Sequence, residues 1–133
     1  MNVIGKLAQT AAALLILNVW FNRFNKDTGY RGGDATNMKE EFEEYGLSEN
    51  TMYAVGAAKV SLAGLLLVGH AAPRVVRPAS IGLAAFMLGA VGMHIKVGDP
   101  AKRSLPALSV FSLATVSAIL NGKPQVTEGV SPE

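Results

Sequence analysis

Charge is missing from this chain in long, evenly spaced blocks, and that spacing constrains the fold more than any motif does. Leu7 to Asn22 and Ser104 to Gly122 contain no Asp, Glu, Lys or Arg, and Pro78 to Ile95 is charge-free if His94 is set aside. A fourth block, about 51–69, is interrupted once, by Lys59. Each block is about 16–20 residues, which as an α-helix rising 1.5 Å per residue approaches the ~30 Å hydrocarbon core of a bilayer. One such block suits the buried helix of a water-soluble fold, but four in 133 residues leave too little polar surface to wrap them. Charged residues are only 17% of the chain, against about 25% in ordinary soluble domains. The expected fold is therefore all-α, an integral membrane four-helix bundle with spans at about 4–22, 50–69, 78–95 and 104–121. Residues 1–121 form one expected domain, and the polar, Pro/Gly-bearing tail 122–133 is expected to be disordered.

The same composition excludes several functions. The chain has no cysteine, which removes disulfides, thiol redox motifs, thiolate metal sites and a cysteine nucleophile. A formal charge of +2 is no nucleic-acid footprint. Lys6 followed by Leu7 to Leu17 has the outline of a signal peptide, but the bulky Trp20-Phe21-Asn22-Arg23 is a poor cleavage site. The segment is expected to be retained, with Trp20 and Phe21 as interfacial anchors at headgroup depth.

Turn chemistry agrees with the spans. Pro73 and Pro78 bracket a tight link between the second and third helices, Gly98-Asp99-Pro100 ends the third, and Pro106 sits in the first turn of the fourth. The long first connection, 23–50, holds Asn37 with Glu40 three residues on, a capping-box pattern. It predicts a short amphipathic helix from Met38 to Tyr45 that stops at Gly46, with Met38, Phe42 and Tyr45 on one stripe. That helix reads as a lid on the bundle mouth or, alternatively, as a partner-docking surface built on its acids. Ser48 caps the second span.

Polar residues inside the spans are the candidate site. Lys59 lies near mid-depth, where a lysine costs about 2.5–3.5 kcal/mol on insertion scales, and with Gly56 and Ala63 on its face it should point into the bundle. It either snorkels or pairs with Glu41, Glu44 or Asp99, or it holds an anionic or carbonyl-bearing ligand, or serves a proton-linked role. Gly82, Ala85, Gly89 and Gly92 recur at small-residue spacing and, like Gly56, read as helix-packing positions. His94 lies near the membrane boundary on the side of Leu83 and Met87, as a hydrogen-bonding residue or a ligand contact. His70 ends the second helix, where its charged form would suit the helix dipole. Asn18 and Asn22 could bond across the bundle or contact a ligand headgroup. Ser109, Ser112, Thr115 and Ser117 are expected to bond carbonyls of their own helix. No catalytic constellation, metal cluster or phosphate loop is present in the sequence.

These residues also form a family signature. Tyr45-Gly46-Leu47, Met52-Tyr53 with Gly56 and Lys59, and Leu65-Leu66-Leu67 with Gly69 resemble the second helix of DoxX-like membrane proteins. Met87-Leu88-Gly89-Ala90-Val91, Met93-His94 and Gly98-Asp99-Pro100 are similar to the third-helix ending of that family, and Leu105-Pro106-Ala107 continues the likeness. The resemblance spans about 15–120 and departs at Trp20-Phe21-Asn22-Arg23-Phe24, where many relatives carry a small-residue stretch. It implies a four-helix membrane bundle. It also implies association with redox or receptor-assembly complexes, since the namesake accompanies an archaeal thiosulfate:quinone oxidoreductase. Tyr53 joins the candidate contacts on this basis.

Counting Lys and Arg alone puts seven (Arg23, Lys26, Arg31, Lys39, Lys96, Lys102, Arg103) on the side of the long loop and four (Lys6, Arg74, Arg77, Lys123) on the other. The bias places that loop in the cytoplasm of a cell membrane, a bacterial cytoplasmic membrane by preference. The leading expectation is a non-catalytic accessory or assembly subunit, contacting the bilayer and a membrane partner or a second copy. A lipophilic-ligand or quinone-binding redox component with a site around Lys59, His94 and Asn18 is the alternative, and a small transporter the third.

Overall fold

The computed structural model describes residues 2–121; the tail expected to be disordered lies outside them. The elements are α1 (Val3–Leu17), which runs on through a wide turn at Asn18–Asn22, α2 (Met38–Glu44), α3 (Glu49–Val68), α4 (Val76–Lys96) and α5 (Leu105–Asn121). The four long helices, with their flanking turns, are each long and apolar enough to cross a membrane: Val3–Asn22, Glu49–Val68, Pro73–Lys96 and Ala101–Asn121. The protein is a multi-pass membrane bundle in which α1 packs on α3 and α5, and α4 on the same two.

Capping follows the sequence closely. Ser48 accepts the Thr51 N–H at 3.1 Å and opens α3, and Asn37 accepts the Glu40 N–H at 2.8 Å and opens α2. The Glu40 carboxylate reaches back one residue further than a capping box requires, to the Thr36 N–H at 2.8 Å. Gly46 ends α2 with φ +78°, the left-handed conformation that glycine adopts without steric penalty. The third span begins earlier than expected. Pro78 lies inside the first turn of α4, where its missing N–H has no helical partner to lose.

The end of the bundle away from the lid is tied by buried polar groups. Gln9, 2% exposed, donates its amide to the Leu66 carbonyl at 2.6 Å, serving an orphan acceptor in the last turn of α3. Asn121 donates to the Gly5 carbonyl at 2.9 Å and to Gln9 at 3.2 Å, joining α5 to α1. Ser80 and Ser117 share a hydrogen bond of 2.8 Å between α4 and α5. Thus Ser117 departs from the expectation that it bonds its own helix, whereas Ser109, Ser112 and Thr115 do so, each at 2.8 Å. His70 meets Thr10 at 2.8 Å, a tie from α3 to α1 in addition to its place at a helix end.

The other end is wider. The turn at Asn18–Asn22 is one residue per turn looser than an α-helix, closed by Arg23 N–H on the Asn18 carbonyl at 3.0 Å. It swings Trp20 inward, so this residue is buried against Phe24 and Phe42 instead of facing outward as an anchor would. Phe21 faces outward, 71% exposed. Close approach is allowed by Gly56, where any Cβ would collide with the Trp20 ring.

Candidate functional site

Above the tied end, the helices diverge around a cavity of about 980 Å³, roofed by α2 and the loop before it. Its walls are mainly apolar: Ile16, Val55, Phe86, Met87, Met93 and Val110 come from all four spans. On α4 the cavity extends from Gly82 to His94, about 18 Å of helix. Exposed residues, Ala85 and Gly89 of α4 and Leu15 of α1, also border it, so it opens sideways onto the faces that the spans present to lipid. The volume lies near the top of the ~300–1,000 Å³ range of small-molecule sites.

The roof is pinned by two carboxylates. Glu41 of α2 receives the Arg31 guanidinium at 2.9 Å, the Gly32 N–H at 3.0 Å and the Tyr45 hydroxyl at 2.8 Å. Arg31, 4% exposed, also donates to the Arg23 carbonyl at 2.6 Å and the Lys26 carbonyl at 3.0 Å, so one buried side chain gathers the preceding loop. Asp99, in the turn between α4 and α5, accepts from His94 Nδ1 at 2.7 Å, the Gly33 N–H at 3.0 Å and Arg103 at 3.2 Å. Arg103 in turn donates to the carbonyls of Arg31 and Gly33. Lys96 donates to the Tyr45 carbonyl at 3.0 Å. The roof is thereby fastened to the third and fourth spans as well as to itself.

Protonation states follow from these contacts. Burial disfavours the Asp99 anion, but the hydrogen bonds from His94 and Gly33 and the charges of His94 and Arg103 outweigh it and hold the carboxyl below its ordinary range. An ionised carboxylate only accepts, so His94 carries its proton on Nδ1. Burial, followed by the charge of Glu41, pushes the Tyr45 phenol well above its ordinary value, so it remains a donor.

Lys59 stands apart from this network. Its ammonium lies 5.9 Å from the centre of the Trp20 ring and has no hydrogen bond or ion pair among the described residues. Glu41 and Asp99, two of the expected partners, are committed to Arg31, His94 and Arg103, and the third, Glu44, is exposed on the outer side of the roof. A cation–π contact at this distance returns about 0.5–2 kcal/mol, less than the ~2.5–3.5 kcal/mol that a mid-membrane lysine costs. The cavity therefore contains an under-compensated cation.

Of the other residues singled out in the sequence, His94 and Asn18 line the same cavity as Lys59. Asn22 does not. It donates to Asn18 at 3.0 Å on an exposed face, since residues four apart are neighbours on a helix surface. Asp99 acts behind His94 rather than on the cavity wall. Tyr53 is 59% exposed and borders a smaller pocket of about 370 Å³ beside Phe24 and Lys39. The small-residue face of α4 is corrected in part. A Cβ at Gly82 would come within 3.3 Å of Leu62, but one at Gly89 or Gly92 would meet nothing within 4 Å. The helices have already separated there, and Gly82 and Gly89 border the cavity. Sequence reasoning misses Arg31, Arg103 and the role of Gln9. Arg31 has one signal, a cation set between Tyr30 and two glycines in a chain with few charges.

Four apolar spans, a folded roof and an interior cavity bordered by one lysine define a small multi-pass helical membrane protein. The profile of the DoxX-like family matches residues 30–119, about two thirds of the chain, and the chain belongs to that family. The match begins after α1, so Trp20 and the loose turn lie outside it while Lys59, His94 and Asp99 lie within. No curated protein and no solved structure matches the chain.

Proposed function

We propose that this protein binds a lipophilic small molecule, drawn from the bilayer into the cavity beneath the α2 roof. The observation that carries the reading is the mainly apolar cavity into which Lys59 presents an ammonium with no hydrogen bond or ion pair among the described residues. In this reading Lys59 donates to an oxygen on the ligand head, Trp20 covers one face of it, and Phe86, Met87 and Met93 surround the apolar part. The roof, held by Glu41 and Asp99, keeps water from the lysine and so strengthens its attraction to the ligand. A quinone fits this donor set, with Lys59 facing a carbonyl oxygen. A bound quinone would supply two-electron redox chemistry that a cysteine-free chain lacks.

The favoured setting is a bacterial cytoplasmic membrane with the roof facing the cytoplasm, in line with the excess of Lys and Arg on that side. An accessory place in a membrane complex is the second reading, favoured by Glu43 and Glu44, which α2 presents outward. The binding reading is tested with Trp20, the one tryptophan of the chain and a cavity wall. Decylubiquinone added to the protein in phosphatidylcholine nanodiscs should quench Trp20 saturably. In Gly89→Leu, whose added side chain occupies free space at the cavity wall, quenching should fall to the level of simple partition. Equal quenching in both proteins would sink the reading. For the second reading, a mild-detergent pulldown that returned no stoichiometric partner would count against it.

A further inference from the structure

We propose that the molecule bound in the cavity is a single-chain amphiphile with an anionic head, a carboxylate or phosphate, whose charge completes an ion pair with Lys59. This rests on the binding reading above and narrows it. The charge on the cavity wall points to it: the wall carries four formal cations (Arg23, Arg31, Lys59 and Arg103) and one carboxylate, Glu41.

Glu41 is matched to Arg31, and Asp99, behind the wall, is matched to Arg103 and His94. Arg23 sits in the loop beside the mouth and donates to the Asp27 carbonyl. Lys59 projects from the middle of a span with no carboxylate in contact among the described residues: Glu41 acts on it only through space, and its ammonium lies against the Trp20 ring. A neutral head leaves that charge unmatched, whereas an anionic head neutralises it where the surroundings are least able to screen it. A cavity of about 980 Å³ accommodates one chain and a compact head. Its sideways opening at Ala85 and Gly89 suits a molecule whose tail remains in contact with lipid.

The test uses the full chain in phosphatidylcholine nanodiscs, with dibromostearate, its methyl ester and a brominated lysophosphatidate as quenchers of Trp20. In neutral buffer, where Lys59 keeps its charge, the lysophosphatidate and the acid should quench at about tenfold lower loading than the ester. Lys59→Met should bring the anionic probes to the level of the ester, while Lys59→Arg retains the preference. Lys59→Met is also expected to fold at least as well as the parent without ligand, since it removes a charge from the membrane interior. If acid and ester quench alike in the parent, the anionic head is refuted while the cavity reading stands. If no probe quenches more than it does in Gly89→Leu, both fall together. An acid preference that survives Lys59→Met assigns the charge to another residue and also overturns the proposal.

Discussion

Asp99→Ala should release the roof without unfolding the bundle. The Asp99 side chain is 4% exposed and its partner His94 6%, so their hydrogen bond is screened little by water. Two bonds are lost from buried donors, His94 Nδ1 and the Gly33 N–H, and hydrogen bonds to a charged group contribute about 1.5–3 kcal/mol each. Arg103 adds little to the loss, because it is 30% exposed and keeps the carbonyls of Arg31 and Gly33. The roof should therefore be loosened by about 3–5 kcal/mol, the range found when one partner of a buried ion pair is removed. That raises its open population at least a hundredfold. Hydrogen exchange at Gly32 and Gly33 and tryptic cleavage after Arg31 report that opening, while exchange in α3 and α5 should stay slow. Acid should do the same to the parent. Because the folded-state pKa of Asp99 is depressed, its contribution is fully present above the unfolded value of about 3.9. It is lost as pH falls below that, through the folded value. Asp99→Asn should abolish this acid step. Exchange at Gly33 that changes less than threefold in Asp99→Ala would refute the reasoning, since it would mean that Glu41 alone holds the roof.

Other substitutions separate packing from space. Gly56→Leu should drive Trp20 out of its seat and destabilise the protein by several degrees in a thermal melt, whereas Gly89→Leu should be neutral or stabilising, since only the first meets a neighbour. Gln9→Leu removes the donor to the Leu66 carbonyl and should lower stability by about 1–3 kcal/mol, read by denaturation in detergent; no change would mean that water replaces the amide. Tyr45→Phe deletes one of the hydrogen bonds to Glu41 and should loosen the roof by about 1 kcal/mol, visible as faster exchange at Gly32 with the bundle unaffected.

Most of the architecture is legible in the sequence because its signals are local. Charge-free runs set the spans, Asn37, Ser48 and Gly46 set the ends of α2 and α3, and the Met38–Phe42–Tyr45 stripe sets which face of α2 turns inward. What escapes depends on relations between elements. The loose turn at Asn18–Asn22 has no sequence marker comparable to proline, yet Trp20 within it is buried in the bundle. Arg31 and Arg103 look like surface cations, and only the folded loop shows that their acceptors are carboxylates and backbone carbonyls. The spacing of Gly82, Gly89 and Gly92 reads as packing along the whole face. Small residues permit close approach but do not compel it, and the helices have already parted at Gly89.

The two ends of the bundle explain each other. At one end Gln9, Ser80, Ser117 and Asn121 join the four spans through short polar bonds, so the helices can diverge at the other end without coming apart. Divergence alone would leave an open vestibule in which Lys59 met water and lost its selectivity for any partner. The roof covers this end, and each of its charges except Arg23 is satisfied within the protein or lies on the outer surface. The matched pairs position the walls, and Lys59 makes no ion pair among the described residues. Were Lys59 only a structural cation, Glu41 would be better spent on it than on Arg31, which could reach water from its loop. The fold instead buries Arg31 with Glu41 and leaves Lys59 facing the cavity, the arrangement expected where the missing counter-charge arrives with a ligand.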